Sequence, residues 1–75
     1  DNPKAAVLFV QRLTDRFHEL VESPGIGRKR DDLAPGLRSS RVSDHLIFYA
    51  VEGEKLLIVH VLHGRRDLQK VFEQQ

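Results

Sequence analysis

The chain has 75 residues, which is room for a single domain. A domain of this size buries only about 60% of the surface that its unfolded chain exposes, so its hydrophobic core is small. The sequence contains no cysteine, which excludes a disulfide framework and fits a reducing compartment. Twelve Lys and Arg residues against eleven Asp and Glu residues give a net charge of +1, which argues against a protein that binds chiefly by neutralising phosphates.

No segment of the sequence approaches the ~20 consecutive apolar residues that a membrane-spanning helix needs. The first residues also lack the basic start and the apolar stretch of a secretory signal peptide. We therefore expect a cytoplasmic protein that does not contact a membrane. Because the sequence opens on Asp1 and not on methionine, we also expect it to be a piece of a longer chain.

An amphipathic helix is predicted from Asn2 to about Glu22. Asn2 is a residue type that caps free amides, and Pro3 suits the first helical position because its missing N–H is not needed there. The helix should end near Pro24, since proline biases the residue before it away from helical backbone. Apolar residues recur at helical spacing and are predicted to share one stripe: Ala6, Phe9, Val10, Leu13, Phe17, Leu20 and Val21.

A β-hairpin is predicted in the second half of the chain. Residues 45–51 and 56–62 are β-branched and aromatic runs joined by a short turn that contains Gly53. Residues 38–44 can add one further strand. Because the run 56–62 is apolar at nearly every position, which is typical of a strand covered on both faces, we predict that it lies at the centre of the sheet.

Two shorter segments complete the predicted order of elements. Residues 25–36 form a polar loop rich in Gly, Pro and charge, with three apolar anchors that are predicted to face inward: Ile26, Leu33 and Leu37. A short C-terminal helix is predicted from three apolar residues at helical spacing: Leu68, Val71 and Phe72. The sequence thus predicts an α+β domain.

The sequence contains no residue pattern typical of a metal site or of a common catalytic site. His60 and His63 are three apart along a predicted strand, so their side chains should point to opposite faces, and no Cys or carboxylate stands at a matching spacing. No serine follows a strand in a glycine-flanked elbow, and no Gly-Lys-Ser/Thr sequence follows the glycines. We therefore predict no metal, no cofactor and no metabolic enzyme.

A pair of arginines is the most informative charged feature. Arg65 and Arg66 stand at the predicted start of a helix, where positive charge opposes the helix dipole. Asp67 partly offsets this effect because negative charge is favoured at the same end. The pair is either part of a solvated surface or, since its placement is slightly unfavourable, part of a binding site.

Three stretches together resemble the ParE toxins of bacterial type II toxin–antitoxin systems, in the ParE/RelE superfamily. Residues 24–39 are similar to the family's loop P-x-x-G-x-x-R-x-D-L-x-P-G-L-R-S. The sequences His-Leu-Ile-Phe-Tyr at residues 45–49 and Val-Leu-His-Gly-Arg-Arg-Asp-Leu at residues 61–68 resemble two further family segments. All three occur in the family's order and with matching separations, so the resemblance covers nearly the whole chain.

The resemblance implies a helix, the second of a helical hairpin, packed on a small twisted antiparallel sheet with a short C-terminal helix. It also implies that residues 1–75 are a single toxin domain that is incomplete at its N-terminus, because family members carry a strand and a first helix ahead of this helix. Their loss would uncover apolar surface, so a free folded monomer is not expected. An antitoxin, another copy of the chain or the missing piece should cover that surface.

The superfamily offers two modes of action, and the resemblance favours one of them. RelE-like members cut mRNA on the ribosome with arginines or lysines and a proton carrier near the C-terminus, whereas ParE-like members poison DNA gyrase. In this sequence the position of the proton carrier matches Phe72, and the arginine of the middle strand matches His45. We therefore expect a non-enzymatic gyrase inhibitor, with a ribosome-dependent endoribonuclease that uses His45 and Arg66 as the alternative.

The expected partners are DNA gyrase and a cognate ParD-like antitoxin, in a heteromeric assembly or with homo-oligomers, in a system that stabilises a plasmid or chromosome. The residues expected to contact gyrase are Arg38, Arg65, Arg66 and Asp67. The residues expected to line the antitoxin groove are Phe9, Leu13, Phe17 and Leu20.

Two departures from the family pattern bear on toxicity. Relatives often carry arginine at the positions that Ala50 and His60 occupy here. If either arginine contributes to toxicity, this copy is weakened. A third hypothesis is therefore a degraded toxin that is retained only as an antitoxin-binding subunit.

Overall fold

The structure, a computed structural model, describes residues 2–64 and 68–73. A long helix comes first, a single 3₁₀ turn at Pro24–Ile26 follows it, and four strands and a short helix complete the order. The helices are α1 (Pro3–Glu22) and α2 (Leu68–Glu73), and the strands are β1 (Arg28–Lys29), β2 (Arg38–Val42), β3 (His45–Glu52) and β4 (Lys55–His63).

Helix α1 begins and ends where the sequence predicts. The side-chain oxygen of Asn2 accepts hydrogen bonds from the amides of Lys4 (3.1 Å) and Ala5 (3.4 Å), so it satisfies donors that have no partner within the helix. At the other end, the amide of Ser23 donates to the carbonyl of Glu19 (2.9 Å) before the chain turns away. No helix in the described part of the chain is long and apolar enough to cross a membrane.

The four strands form one antiparallel sheet in the order β1-β2-β3-β4. A two-residue turn at Ser43–Asp44 joins β2 to β3, and a turn at Gly53–Glu54 joins β3 to β4. Gly53 has φ +60, a left-handed conformation that glycine adopts without steric cost. The predicted α+β fold, with a helix on a small antiparallel sheet, is confirmed.

The predicted central position of β4 is wrong. Strand β3 has neighbours on both sides, whereas β4 pairs only with β3 in the described part of the chain. The side chains of Leu57, Ile58, Val59 and Val61 are 37–41% exposed. The apolar run of β4 therefore does not reflect burial on both faces, because α1 packs over β2 and β3 and leaves much of β4 uncovered.

The sheet is covered by different elements on its two faces. On one face, the fully buried side chains of Leu20, Ile47 and Tyr49 pack together with Val42 beneath α1. On the other face, Leu37, Phe48 and Leu62 form a second cluster. This second cluster is covered by partly buried residues of the loop, of β3 and of α2: Leu33, Ala34, Leu46, Leu68, Val71 and Phe72.

The side-chain predictions for the loop and the helix stripe are confirmed only in part. Leu33 and Leu37 pack inward as predicted, but Ile26 is 58% exposed, so its prediction as an anchor is wrong. The residue that follows the 3₁₀ turn, Gly27, is the buried one, and its amide donates to the hydroxyl of Tyr49. On α1, Val10 and Val21 lie at the flank of the stripe and are 59% and 63% exposed, so the buried stripe is narrower than predicted.

Candidate functional site

The loop that carries the longest family-like motif is fixed to the central strand by a tyrosine hydroxyl. The hydroxyl of Tyr49 accepts a hydrogen bond from the amide of Gly27 (2.9 Å) and donates one to the carbonyl of Pro24 (2.7 Å). Tyr49 is fully buried. A Cβ atom on Gly27 would lie 2.7 Å from the Tyr49 ring and would collide with its hydroxyl, so only glycine fits there.

Arg38, one of the predicted gyrase contacts, reaches the same loop. Its Nη1 donates to the carbonyl oxygens of Gly27 (2.7 Å) and Gly25 (3.2 Å). The side chain is thus engaged in holding the loop at the edge of the sheet. The structure places Arg38 on β2, and its role as a target contact stays a prediction.

An ion pair closes the far end of this loop. The guanidinium of Arg30 donates from Nε and Nη2 to the two carboxylate oxygens of Asp32, each at 3.1 Å. The hydrogen bond from Arg30 lowers the pKa of Asp32 below its usual value. The same guanidinium lies 5.7 Å from the ring centroid of the buried Phe48, within the range of a cation–π contact.

Two further polar residues of the motif, Asp31 and Ser39, are also held within the fold. The amide of Gly36, which has φ +77, donates to the carboxylate of Asp31 (2.9 Å), and Ser39 is buried. These contacts of residues 24–39 therefore hold the loop against the edge of the sheet. The contact between Tyr49 and Gly27 was not predicted from the sequence. The single tyrosine of the chain and the glycine of the motif are the features that could have indicated it.

The histidines of β4 point to opposite faces, as predicted. His63 lies 5.3 Å from His45, its partner across the strands, and His45 in turn contacts Phe9 of α1 at 4.6 Å between ring centroids. His60 contacts Phe72 of α2 at 5.3 Å on the other face of the sheet. Residues 2–64 and 68–73 contain no cluster of three or more His, Asp or Glu side chains that could hold a metal ion.

Two of the three positions that correspond to a RelE-like catalytic set lie on opposite faces of the sheet. His45 lies on the α1 side of the sheet, packed against Phe9. Phe72 lies on the α2 side, with its ring 5.0 Å from that of Phe48 in an edge-to-face contact. Arg66, the third residue of that set, lies outside the described residues.

The predicted target contacts Arg65, Arg66 and Asp67 all lie outside the described residues. Both neighbours of this segment are placed. The amide of Gly64 donates to the carbonyl of Asp44 (2.8 Å), which ties the end of β4 to the β2–β3 turn. Leu68 packs against the cluster around Phe48.

The four residues predicted to line an antitoxin groove mostly belong to the core. Leu20 is fully buried, and Phe9, Leu13 and Phe17 are partly buried against the sheet. The apolar surface that α1 leaves open consists of other residues, which are 51–63% exposed: Val7, Leu8, Val10 and Val21. Near the start of α1, a shallow apolar depression that is open to solvent is lined by Pro3, Lys4, Val7, Leu8 and Gln11.

The described residues form a small α+β domain in which the motif at residues 24–39 is held at the edge of the sheet. Residues 1–68 match the ParE toxins of the type II (parDE) systems. The chain belongs to this ParE toxin family.

Two named relatives are similar over most of the chain. It is 38% identical to Toxin ParE3 of Caulobacter vibrioides over 65 residues, which cover 87% of this chain and 65% of the relative. It is 33% identical to Toxin ParE1 of Mycobacterium tuberculosis over 63 residues, which cover 83% of this chain and 64% of the relative. The chain therefore spans slightly less than two thirds of the length of each relative.

Proposed function

We propose that the protein poisons DNA gyrase without catalysing a reaction of its own, and that a ParD-like antitoxin neutralises it by direct binding. Membership in the ParE toxin family supports the toxin part of this proposal. The gyrase target and the antitoxin partner are inferred for the whole protein, of which this chain corresponds to part. Binding would stabilise the cleaved DNA intermediate of gyrase and so block replication.

The observation that most favours a non-enzymatic mode is the separation of His45 from Phe72. Cleavage of RNA at a 2′-hydroxyl needs a base and an acid near one scissile phosphate, together with stabilisation of charge on that phosphate. His45 and Phe72 pack on opposite faces of the sheet. Phenylalanine cannot carry a proton, and its ring is committed to contacts with Phe48 and His60.

The proposed gyrase contact is the segment of Arg65, Arg66 and Asp67, with Arg38 in a supporting role. Arg38 donates to two loop carbonyls, so its replacement should act on gyrase through the loop. Arg66 is the residue whose loss is expected to reduce poisoning most directly.

The proposed antitoxin surface is the exposed apolar edge of α1. Val7, Val10 and Val21 lie on one side of the helix and are each more than half exposed, whereas Leu20 is fully buried. Phe9, Leu13 and Phe17 keep part of their surface open and would form the inner wall of the same groove. An antitoxin segment with apolar side chains at helical spacing fits such an edge.

Three assays separate the proposed function from its alternatives. Purified protein is titrated into a gyrase supercoiling assay and into an assay of mRNA cleavage on the ribosome. In the third assay, synthesis of the protein is induced in growing cells with and without antitoxin. Loss of supercoiling without mRNA cleavage supports gyrase poisoning. mRNA cleavage that disappears in His45→Ala would support the ribonuclease, and normal growth without antitoxin would support an inactive remnant.

A further inference from the structure

Two histidines face each other at the open end of the β3–β4 hairpin. His45 is the first residue of β3, His63 is the last residue of β4, and the register of the two strands pairs them. Their ring centroids are 5.3 Å apart, and the ring planes are inclined at 77°. Only the register of the hairpin brings these two residues together, so their spacing along the sequence does not reveal the pair.

The hydrogen bonds around this pair make it a close one. The amide of Gly64 donates to the carbonyl of Asp44 at 2.8 Å, so the hydrogen bond of the ladder lies on the residues that flank the histidines. His45 and His63 therefore form a non-hydrogen-bonded pair, the type in which opposite side chains of antiparallel strands lie closest. Both side chains of such a pair point to the same face of the sheet, which here is the face that α1 covers.

One ring of the pair is held by α1, and the other is open to solvent. His45 is half-buried, with its ring centroid 4.6 Å from that of Phe9, whereas His63 is exposed. A small depression beside His63 is also lined by Arg41 and Asp44, whose opposite charges offset each other. An ion from solvent can therefore reach the two imidazoles without the displacement of a core side chain.

The separation of the two rings suits the chelation of one metal ion. Neutral imidazole is a preferred ligand of Zn²⁺, Ni²⁺ and Cu²⁺. Two imidazoles that each bind one ion at about 2.0–2.1 Å, with the bond angles of a square-planar or tetrahedral site, place their ring centroids about 4.5–5.2 Å apart. The 5.3 Å between the His45 and His63 centroids is close to this distance.

We propose that His45 and His63 chelate one divalent transition metal ion of the Zn²⁺, Ni²⁺ and Cu²⁺ group, with water as the remaining ligands. Residues 2–64 and 68–73 contain no group of three or more ligand side chains, so two protein ligands hold the ion and it exchanges with solvent. The bound ion ties the first residue of β3 to the last residue of β4, and binding to the folded state alone stabilises that state. This inference does not depend on the proposed function.

The expectation that the protein binds no metal was based on a different pair of histidines. His60 and His63 are close in sequence but point to opposite faces of the sheet. The residue opposite His60 in the register is Phe48, which cannot bind a metal ion. His60 is therefore a matched control on the same strand, and the exposed His18 of α1 is a second control.

The first test measures the melting temperature of the full chain with and without NiCl₂. The melting temperature of the wild type should rise with Ni²⁺, fall back on adding EDTA, and stay unchanged with Mg²⁺, which prefers oxygen ligands. His63→Gln should abolish the rise, whereas His60→Gln and His18→Gln should keep it. A wild-type melting temperature that does not respond to Ni²⁺ would overturn the proposal, and so would an equal rise in His63→Gln.

The second test locates the ion directly by NMR. Paramagnetic Cu²⁺ at less than one equivalent should broaden the ring-proton signals of His45 and His63 together, before those of His18 and His60. His45→Gln should weaken Cu²⁺ binding about tenfold or more, because a chelate becomes a contact with a single ligand. Broadening that is spread equally over all four histidines would mean adventitious binding to single imidazoles only, and it would contradict the proposed site.

Discussion

Tyr49 and Gly27 are joined by a hydrogen bond of 2.9 Å between the tyrosine hydroxyl and the glycine amide, buried beneath the loop that follows α1. The same hydroxyl donates to Pro24, so one side chain of the central strand satisfies both a donor and an acceptor of the loop backbone. Buried polar groups of this kind are costly when they lose their partners. The close approach of the Tyr49 hydroxyl explains why a glycine stands at position 27 of the family-like motif.

Gly27→Ala is expected to destabilise the fold by about 2–4 kcal/mol, because overpacking and a lost buried hydrogen bond act together. The new methyl group would meet the Tyr49 ring 2.7 Å away, and Tyr49 is fully buried and cannot move aside. Urea denaturation followed by circular dichroism measures the change. Gly25→Ala is the control, since a Cβ atom there meets nothing within 4 Å, and equal losses for both variants would contradict this account.

The Arg30–Asp32 pair is expected to make stability depend on acid pH. The pKa of Asp32 is lowered in the folded protein, chiefly by the hydrogen bond from Arg30. A lowered folded-state pKa stabilises the fold above the ordinary Asp value near 3.8, and this contribution is lost as the pH falls through the folded-state pKa.

Melting temperatures of wild type and Asp32→Asn, measured from pH 7 down to pH 2, test this dependence. The wild type should be the more stable protein at pH 7, and the difference should shrink towards zero at the acid end. A difference that stays constant over the whole range would mean that ionisation of Asp32 does not contribute.

Phe72→Tyr is expected not to create a ribonuclease, although it restores a hydroxyl at the position of the RelE-like proton carrier. The residue lies on the α2 side of the sheet, and His45 lies on the α1 side. Ribosome-bound mRNA should remain intact with this variant at concentrations where a RelE-type toxin cleaves it. Cleavage that appears in Phe72→Tyr and disappears on adding His45→Ala would contradict the separation of the two sites.

A charge placed on the exposed edge of α1 should weaken antitoxin binding without unfolding the toxin. Val7→Asp and Val10→Asp replace side chains that are 56% and 59% exposed, and each is expected to reduce affinity at least tenfold, which is about 1.4 kcal/mol. Calorimetric titration with the antitoxin measures the effect. Val51→Asp, on β3 and 46% exposed, is the matched control and should bind like wild type.

Local signals predicted the long helix and the three longer strands, but the two-residue strand β1 lies in a segment predicted as a loop. Each of the predicted features depends only on residues that are close in sequence, so a single sequence reveals it. They are the helix cap at Asn2, the end of the helix before Pro24 and the strand-forming residues of β3 and β4. The position of β4 at the edge could not be read in this way. An apolar strand looks the same whether its faces are covered by the described chain or left open.

The candidate site stays a prediction that rests mainly on family resemblance. The sequence indicates that the positive charges of Arg65 and Arg66 oppose the dipole of the predicted C-terminal helix. Nothing in the sequence indicates that Arg38 donates hydrogen bonds to the carbonyls of Gly25 and Gly27. The bond between Arg12 and Ser43 spans 31 positions, and no periodicity predicts such a contact. The antitoxin surface stays a prediction: Leu20 is buried in the core, so an antitoxin would reach the partly buried side chains of the stripe from the edge of α1.

The most direct test of the central claim is the amount of DNA that gyrase leaves cleaved when purified protein is added. We expect cleaved DNA that increases with protein concentration, disappears on adding antitoxin, and is strongly reduced in Arg66→Ala but not in Arg28→Ala. Arg28 is an exposed arginine on β1, so it controls for loss of one positive charge. Gyrase that cleaves and religates DNA normally at micromolar protein would contradict the proposed function.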